Sequence, residues 1–239
     1  LKVPEEVNRK MIDAISTWSF PYTPGSRENL IKEGKDKRKI YLSGNPIKEV
    51  LTAFESEIEG STILSLLGIE KENYYLVTLH RAENVDVKAR LSELMEGLTA
   101  VAKKHHKPII CSTHPRTRDK LSRYGLDYSE DIRFLEPLGF FDFVKLERNA
   151  KCVLTDSGTV QEECCLFHVP TVTLRDSTER PETIECGSNI LSGIDREKVV
   201  DCVDLMTISS RNWRIPEGYD VTDVSDRMVK HLLGGEWFV

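Results

Sequence analysis

From residue 74 onward the chain repeats one pattern: a short apolar run, a polar turn, then a longer amphipathic run. The runs YYLVTL (74–79), KPIICST (107–113), IRFLE (132–136), AKCVLTD (150–156) and PTVTL (170–174) have the character of strands buried in a sheet. A short sixth begins at NILSG (189–193). Helical stretches separate them at 87–105, after Pro115, and at 140–149, 159–167 and 195–206. In the first of these, Leu91, Leu94, Met95, Leu98, Val101 and Ala102 recur at helical spacing. Strands alternating with helices of this length predict an α/β fold with a Rossmann-like, doubly wound parallel sheet.

The first 58 residues break that pattern. They read as helices at 4–17 and 24–33, a lone strand at 39–43, and a helix from 46 to about 58. A lone strand leaves its backbone edges unpaired, and this segment supplies no sheet partner. The first residue is Leu1, as expected of a processed or trimmed product or a fragment. At the other end, a loop-like stretch at 207–220 holds Pro216 and Gly218, and a last amphipathic helix runs from about 221 to 233.

Charge narrows the function. The 39 acids and 33 bases give a net charge of -6. A general nucleic-acid binder would carry a basic excess, so no nucleic-acid partner is expected. A local cationic pocket for a small anion remains compatible with that balance. No apolar run reaches the length of a membrane span, and no signal peptide is expected before the first motif. The six cysteines, Cys111, Cys152, Cys164, Cys165, Cys186 and Cys202, sit mostly in apolar runs and read as free thiols in a reducing cytoplasm. A zinc site from Cys164, Cys165, His168 and Cys186 is conceivable, but adjacent cysteines are poor tetrahedral ligands and no C-x-x-C pair occurs. No metal is expected.

Chemistry-bearing motifs fall where strands end. In VLTDSGTVQEE (153–163) a strand stops at Asp156, and Ser157-Gly158 turns the chain into a helix. Such a turn leaves backbone N–H groups unpaired at a helix N-terminus, which attracts phosphate. Gly158 permits close approach of a ligand, Ser157 and Thr159 add hydroxyls, and Glu163, one turn on, can reach sugar hydroxyls. The plain alternative is a helix capped by Asp156 or Ser157. A nucleophilic role for Ser157 is disfavoured because G-x-S-x-G is absent.

His80 and Arg81 follow the first strand of the regular series, where a ligand would lie or a solvated loop histidine would sit. STHPRTR (112–118) brings His114, Arg116 and Arg118 to another strand end. RDSTERPE (175–182) brings Arg175 and Arg180, either as forked anion donors or as partners of Asp176, Glu179 and Glu182. Four strand ends thus point to one shared site for a phosphorylated ligand. PEEVNR (4–9) places two carboxylates at a helix start, where the helix dipole alone would favour them.

In chain order, PEEVNR, the hinge-like SGNPIKEV (43–50), LVTLHRAEN (76–84), TDSGTVQEE (155–163) and RDSTERPE resemble the non-hydrolysing UDP-N-acetylglucosamine 2-epimerase family. The resemblance extends to the branch acting on other UDP-2-acetamido sugars, including the N-acetyl-L-fucosamine precursor. It implies a glycosyltransferase-B-like architecture of two Rossmann-like halves. Residues 1–58 would be the tail of a truncated N-terminal domain and hinge, 59–220 the UDP-binding C-terminal domain, and 221–239 a helix returning toward the first domain.

The implied reaction inverts C2 by eliminating UDP to a 2-acetamidoglucal and adding it back, with no cofactor. By resemblance Glu5 matches a catalytic acid/base, and His80 a catalytic histidine near the diphosphate. Ser157, Gly158 and Thr159 match the phosphate-binding turn, Glu163 the ribose carboxylate, Arg180 the cleft arginine and Phe143 the aromatic against uracil. Arg81 and His114 match a site for an activating UDP-sugar. A homodimer is expected of the full-length form. Ala82 stands where the family commonly has a second arginine, and Thr159 where it has a second glycine. The family's catalytic aspartate and one catalytic glutamate have no counterpart here. A glycosyltransferase of the same fold and a non-catalytic UDP-sugar-binding fragment remain alternatives.

Overall fold

The computed structural model describes residues 4–126 and 129–234. The chain begins with α1 (Pro4–Ile15), α2 (Pro24–Lys32) and α3 (Ile47–Ala53). Next come α4 (Glu55–Gly60), α5 (Ile63–Leu67), β1 (Tyr75–Thr78), α6 (Ala82–Val85) and α7 (Lys88–His105). They lead to β2 (Ile109–Ser112), α8 (Pro115–Tyr124), β3 (Ile132–Leu135), α9 (Phe140–Asn149), β4 (Cys152–Thr155) and α10 (Gly158–Phe167). The series ends with β5 (Thr171–Thr173), α11 (Pro181–Glu185), β6 (Asn189–Leu191), α12 (Arg196–Ile208) and α13 (Val224–Leu233). Two compact units result: residues 54–214, and the residues up to Ala53 together with those from Ile215.

In residues 54–214 the six strands form one sheet in the order β3-β2-β1-β4-β5-β6, every pair parallel. This is the doubly wound α/β sheet that the strand and helix rhythm predicts. Strand pleating sends alternate side chains to opposite faces. Tyr75 and Val77 of β1, Ile109 and Cys111 of β2, and Cys152 and Leu154 of β4 enter one core cluster. Leu91, Leu94, Met95, Leu98, Val101 and Ala102 of α7 cover it, each at most 2% exposed. Leu76, Ile110 and Val153 enter the other cluster with Leu146 of α9 and Val160 and Cys164 of α10. With both faces covered, the strands have to be apolar throughout.

Order in the sheet reverses at β1 and β4. The chain runs outward from β1 to β3 on one side and from β4 to β6 on the other. A crevice opens at such a switch point, outside the carboxyl ends of the two central strands.

Three sequence expectations outside this sheet are corrected. Residues 39–43 do not form a strand. A 3-10 turn at Lys37–Lys39 precedes a single parallel bridge between Ser19 and Ile40. The Tyr41 and Ser43 N–H groups donate to the carbonyls of Ser19 and Pro21, at 2.9 and 3.2 Å. The extended 19–21 segment therefore satisfies an edge too short to build a ladder. The helix expected over 46–58 divides into α3 and α4 at Phe54, whose ring packs at 5.5 Å from that of Phe141. Here the two compact units meet in sequence, between residues 53 and 54. The last helix begins at Val224, not 221.

In the smaller unit, Thr23 caps α2 by accepting from the Ser26 N–H at 3.1 Å, and Pro24 occupies the first turn. Glu49 of α3 accepts from the Ser225 N–H of α13 at 2.9 Å. His231 of α13 packs among Trp18, Phe20 and Tyr41, with ring centroids 4.6 to 5.5 Å away. Gly218 has φ +92°, and a Cβ there would lie 2.2 Å from the Tyr22 carbonyl oxygen. Gly34 has a similar φ of +91° but open space around it. Both alanine substitutions carry backbone strain, and only Gly218→Ala must also displace backbone. We expect Gly34→Ala to cost about 1 kcal/mol and Gly218→Ala clearly more. Denaturant midpoints of the two variants test this, and equal midpoints would contradict the packing assigned to Gly218.

Candidate functional site

At the switch point the two central strands are joined side chain to side chain. Thr78 and Thr155 stand opposite each other, and their hydroxyls hydrogen-bond at 2.6 Å. The Thr155 hydroxyl also accepts from the Ser157 N–H at 2.9 Å, which bends the chain out of β4. Ser157 then occupies the N-cap position of α10, but its side chain makes no capping hydrogen bond. Its half-buried hydroxyl is not spent on the helix. Gly158 is buried and Thr159 exposed, so the first turn of α10 faces outward at Thr159.

Asp156 is fully buried and organises the opposite lip. Its carboxylate accepts from the His80 N–H at 3.1 Å, the Arg81 N–H at 3.0 Å and the Asn84 side-chain amide at 3.2 Å. His80 Nδ1 lies 3.1 Å from the same carboxylate. That proximity places the imidazole beside the Asp156 charge. The His80 side chain is 40% exposed, so Nε2 has access to a ligand. Asp156, one of the two caps in the plain alternative reading, instead holds the segment after β1 against the turn after β4.

Arg180 completes the group. A Cβ at position 158 would meet its guanidinium at 3.4 Å, an ordinary van der Waals contact, so Arg180 lies directly over the turn. The guanidinium pairs with Glu162 of α10 and stays 30% exposed. Gln161 supports this geometry from beneath. Its amide donates to the Ser157 carbonyl at 3.0 Å, and its oxygen accepts from Thr178 at 2.7 Å and Asn189 at 3.1 Å. The network ties the turn to β6 and to the segment carrying Arg180.

The remaining candidates separate. Arg175 is 1% exposed and committed to a brace, donating to Glu83 at 3.1 Å and to both Glu179 oxygens at 2.8 and 2.9 Å. Of its two sequence readings, the salt-bridged one holds. Arg118 pairs with Glu136, and Arg116 approaches Asp86 at 3.7 Å. The His114 ring lies 6.3 Å from that of His80 and accepts from the Arg116 N–H as the cap of α8. Arg81 supplies the N-cap position of α6, and its Nε has no hydrogen-bond partner among the described residues. Phe143 of α9 is half buried beside the second core cluster, and Glu163 of α10 is 5% exposed. Glu5 falls in the first turn of α1, its side chain outside the described residues, and belongs to the smaller unit. Cys165 and Cys186 approach to 3.7 Å, while His168 Nδ1 bonds the Arg211 carbonyl at 2.8 Å. Those cysteines and His168 do not converge on a metal position.

Sequence reasoning did not find the roles of Asp156, Asn84 and Gln161 as supports. Asn84 and Gln161 stand inside the quoted motifs, which was their available signal. What the arrangement offers is a backbone turn rich in N–H donors, one hydroxyl, one guanidinium and one imidazole, at the carboxyl ends of the two central strands. That donor set suits a diphosphate.

A sequence model of the UDP-N-acetylglucosamine 2-epimerase family matches residues 1–233. The Methanocaldococcus jannaschii UDP-N-acetylglucosamine 2-epimerase is 40% identical over 98% of this chain and 66% of that protein. A Methanococcus maripaludis UDP-N-acetylglucosamine 2-epimerase is 42% identical over 98% of this chain and 65% of its own length. The crystal structure of the M. jannaschii enzyme in complex with UDP-GlcNAc and UDP superposes with a TM-score of 0.91 at 40% identity, covering 97% of this chain and 65% of that one. The chain thus spans just under two thirds of the length of these relatives.

Asp156→Asn keeps the shape but puts an amide N–H against backbone donors. Each lost hydrogen bond to a charged group costs about 1.5–3 kcal/mol. We expect the variant to lose at least about 2 kcal/mol of stability. Chemical denaturation tests this, and a midpoint equal to wild type would remove Asp156 as the organising group.

Proposed function

The chain belongs to the UDP-N-acetylglucosamine 2-epimerase family, and on that premise we propose that it carries the nucleotide-binding part of an enzyme inverting C2 of a UDP-2-acetamido sugar, UDP-N-acetylglucosamine to UDP-N-acetylmannosamine foremost. The observation that carries this reading is the switch-point cluster, with His80 fixed by Asp156 and Arg180 laid over the Ser157-Gly158 turn. Its donors are suited to a UDP leaving group.

In the proposed reaction a base removes the C2 proton while the C1–O bond to UDP breaks. The C2–H electron pair becomes the C1=C2 bond of a 2-acetamidoglucal, and UDP departs with the C1–O pair. Return of UDP to C1 and of a proton to the opposite face of C2 gives the epimer with no net oxidation. The protein must therefore stabilise the departing diphosphate and exchange a proton at C2. The N–H groups at Gly158 and Thr159, the Ser157 hydroxyl, Arg180 and His80 Nε2 are assigned to the diphosphate. Glu163 is assigned to the ribose, Phe143 to uracil and Glu5 to acid/base chemistry. Arg81 and His114, beside His80, are assigned to a second, activating UDP-sugar, with Ala82 and Thr159 as positions where substrate or activator preference can diverge. Expected free thiols and the family resemblance support a cytoplasmic, homodimeric full-length enzyme.

A second reading concerns the chain by itself. The residues assigned to UDP all lie within residues 54–214, which favours UDP binding that is separable from turnover. Turnover is tested on the full-length parent with UDP-N-acetylglucosamine in deuterated water. Deuterium should appear at C2, and Glu5→Gln should lower turnover by about 10²–10⁴-fold while keeping UDP affinity. Retention of the C2 proton during turnover, or wild-type turnover in Glu5→Gln, would contradict the assignment.

A further inference from the structure

Glu147 is a glutamate on the buried face of α9, in line with Val144 and Leu146. It is 0% exposed, and neither carboxyl oxygen has a hydrogen-bond donor among the described residues. The cations that usually justify a buried acid turn elsewhere. Arg148, the next residue, pairs with Glu55 at 2.6 Å and Glu59 at 3.2 Å and lies over the Phe167 ring. The Tyr74 hydroxyl donates to the Leu146 carbonyl at 2.6 Å. What faces Glu147 from α10 is the carboxyl of Glu163, with Cys164 beside it and Glu162 next to Glu163. Among the described residues, Tyr74 faces it from the approach to β1 and Arg148 from its own helix.

Two buried carboxyl groups in contact repel if both are ionised and bond if they hold one proton between them. Burial, and then the adjacent Glu163 charge, push Glu147 well above the ordinary carboxylate range. Burial also raises Glu163, to about 7, against the opposing pull of its hydrogen bond with Glu147. Glu147 is thus the proton holder and Glu163 the partner that ionises first.

We propose that Glu147 is a positioning residue of the nucleotide site, its carboxyl O–H donating to Glu163 and fixing the carboxylate that accepts the ribose hydroxyls. This rests on the assignment of Glu163 to the ribose. One Glu163 oxygen is taken by the Glu147 O–H, and the other is left for the sugar. As pH falls through about 7, Glu163 takes up a proton and the ribose loses a charged acceptor. Affinity for a ribonucleotide then falls toward acid and is constant above that range.

The test is calorimetric titration of the chain with UDP and with 2′-deoxy-UDP, between about pH 6 and 9. Wild type should prefer UDP by about tenfold or more, the value of a hydrogen bond to a charged group, and lose that preference toward acid. Glu147→Leu, which removes the donor, should lose most of the preference at neutral pH and shift its onset upward. Glu147→Gln, whose amide can donate, should restore it. A Glu147→Leu variant with wild-type preference and onset would overturn the proposal. Glu163→Gln separates the two ideas: an unchanged UDP preference there would instead remove the ribose assignment. Carboxyl ¹³C spectra of the unliganded chain decide the matter if binding is too weak or Glu147→Leu does not fold. Wild type should show two carboxyls titrating above the ordinary range and Glu147→Gln one. Two carboxyls titrating in the ordinary range would overturn the proposal.

Discussion

The arrangement at the switch point depends on one buried carboxylate. Asp156 leaves the end of β4, accepts the N–H groups of His80 and Arg81 from the end of β1, and meets the side chain of Asn84 from α6. Backbone N–H groups at a strand end otherwise need water or a ligand. By taking them, Asp156 fixes the path of the chain after β1 and holds the His80 ring within 3.1 Å of its own charge. Asn84 carries the link onward to the Leu174 carbonyl at 2.9 Å, after β5. Three neighbouring strand ends are thereby held to one charge.

Around that centre the polar residues divide into those that build and those that are left over. Arg175 is spent on Glu83 and Glu179, and Gln161 is spent on the Ser157 carbonyl, Thr178 and Asn189. The Ser157 hydroxyl, the face of Arg180 and the outer nitrogen of His80 remain. A site for an anion is what such a remainder can provide, since saturated groups supply rigidity and unsaturated ones supply binding. The proposed role of Glu147 extends this logic into the core, where a carboxyl group without a donor is explained by the carboxylate beside it.

Much of the larger unit was legible in the sequence because burial on both faces forces apolar strands, and the helical spacing of Leu91 to Ala102 has one structural meaning. The strand-end location of His80, Ser157 and Arg180 followed from the same rhythm. The partition of Arg175 from Arg180 was not legible. Both sit in one polar motif, and only tertiary pairing with Glu83 removes Arg175 from solvent. Glu147 was invisible for a related reason: a glutamate in a helix normally faces water, and burial is a property of the packed fold. The strand misread at 39–43 shows the limit in the smaller unit, where a single bridge to Ser19 replaces a ladder. Local pattern there does not determine pairing.

The central claim is that the first turn of α10 and the Asp156-held His80 together receive a diphosphate. Amide chemical shifts of the chain, followed while UDP is added, test it most directly. The account predicts the largest changes at Gly158, Thr159 and Val160, with His80 and the Arg180 guanidinium moving at the same UDP concentration. Binding of UDP that leaves those amides unmoved, or a folded chain that binds no UDP at all, would contradict it.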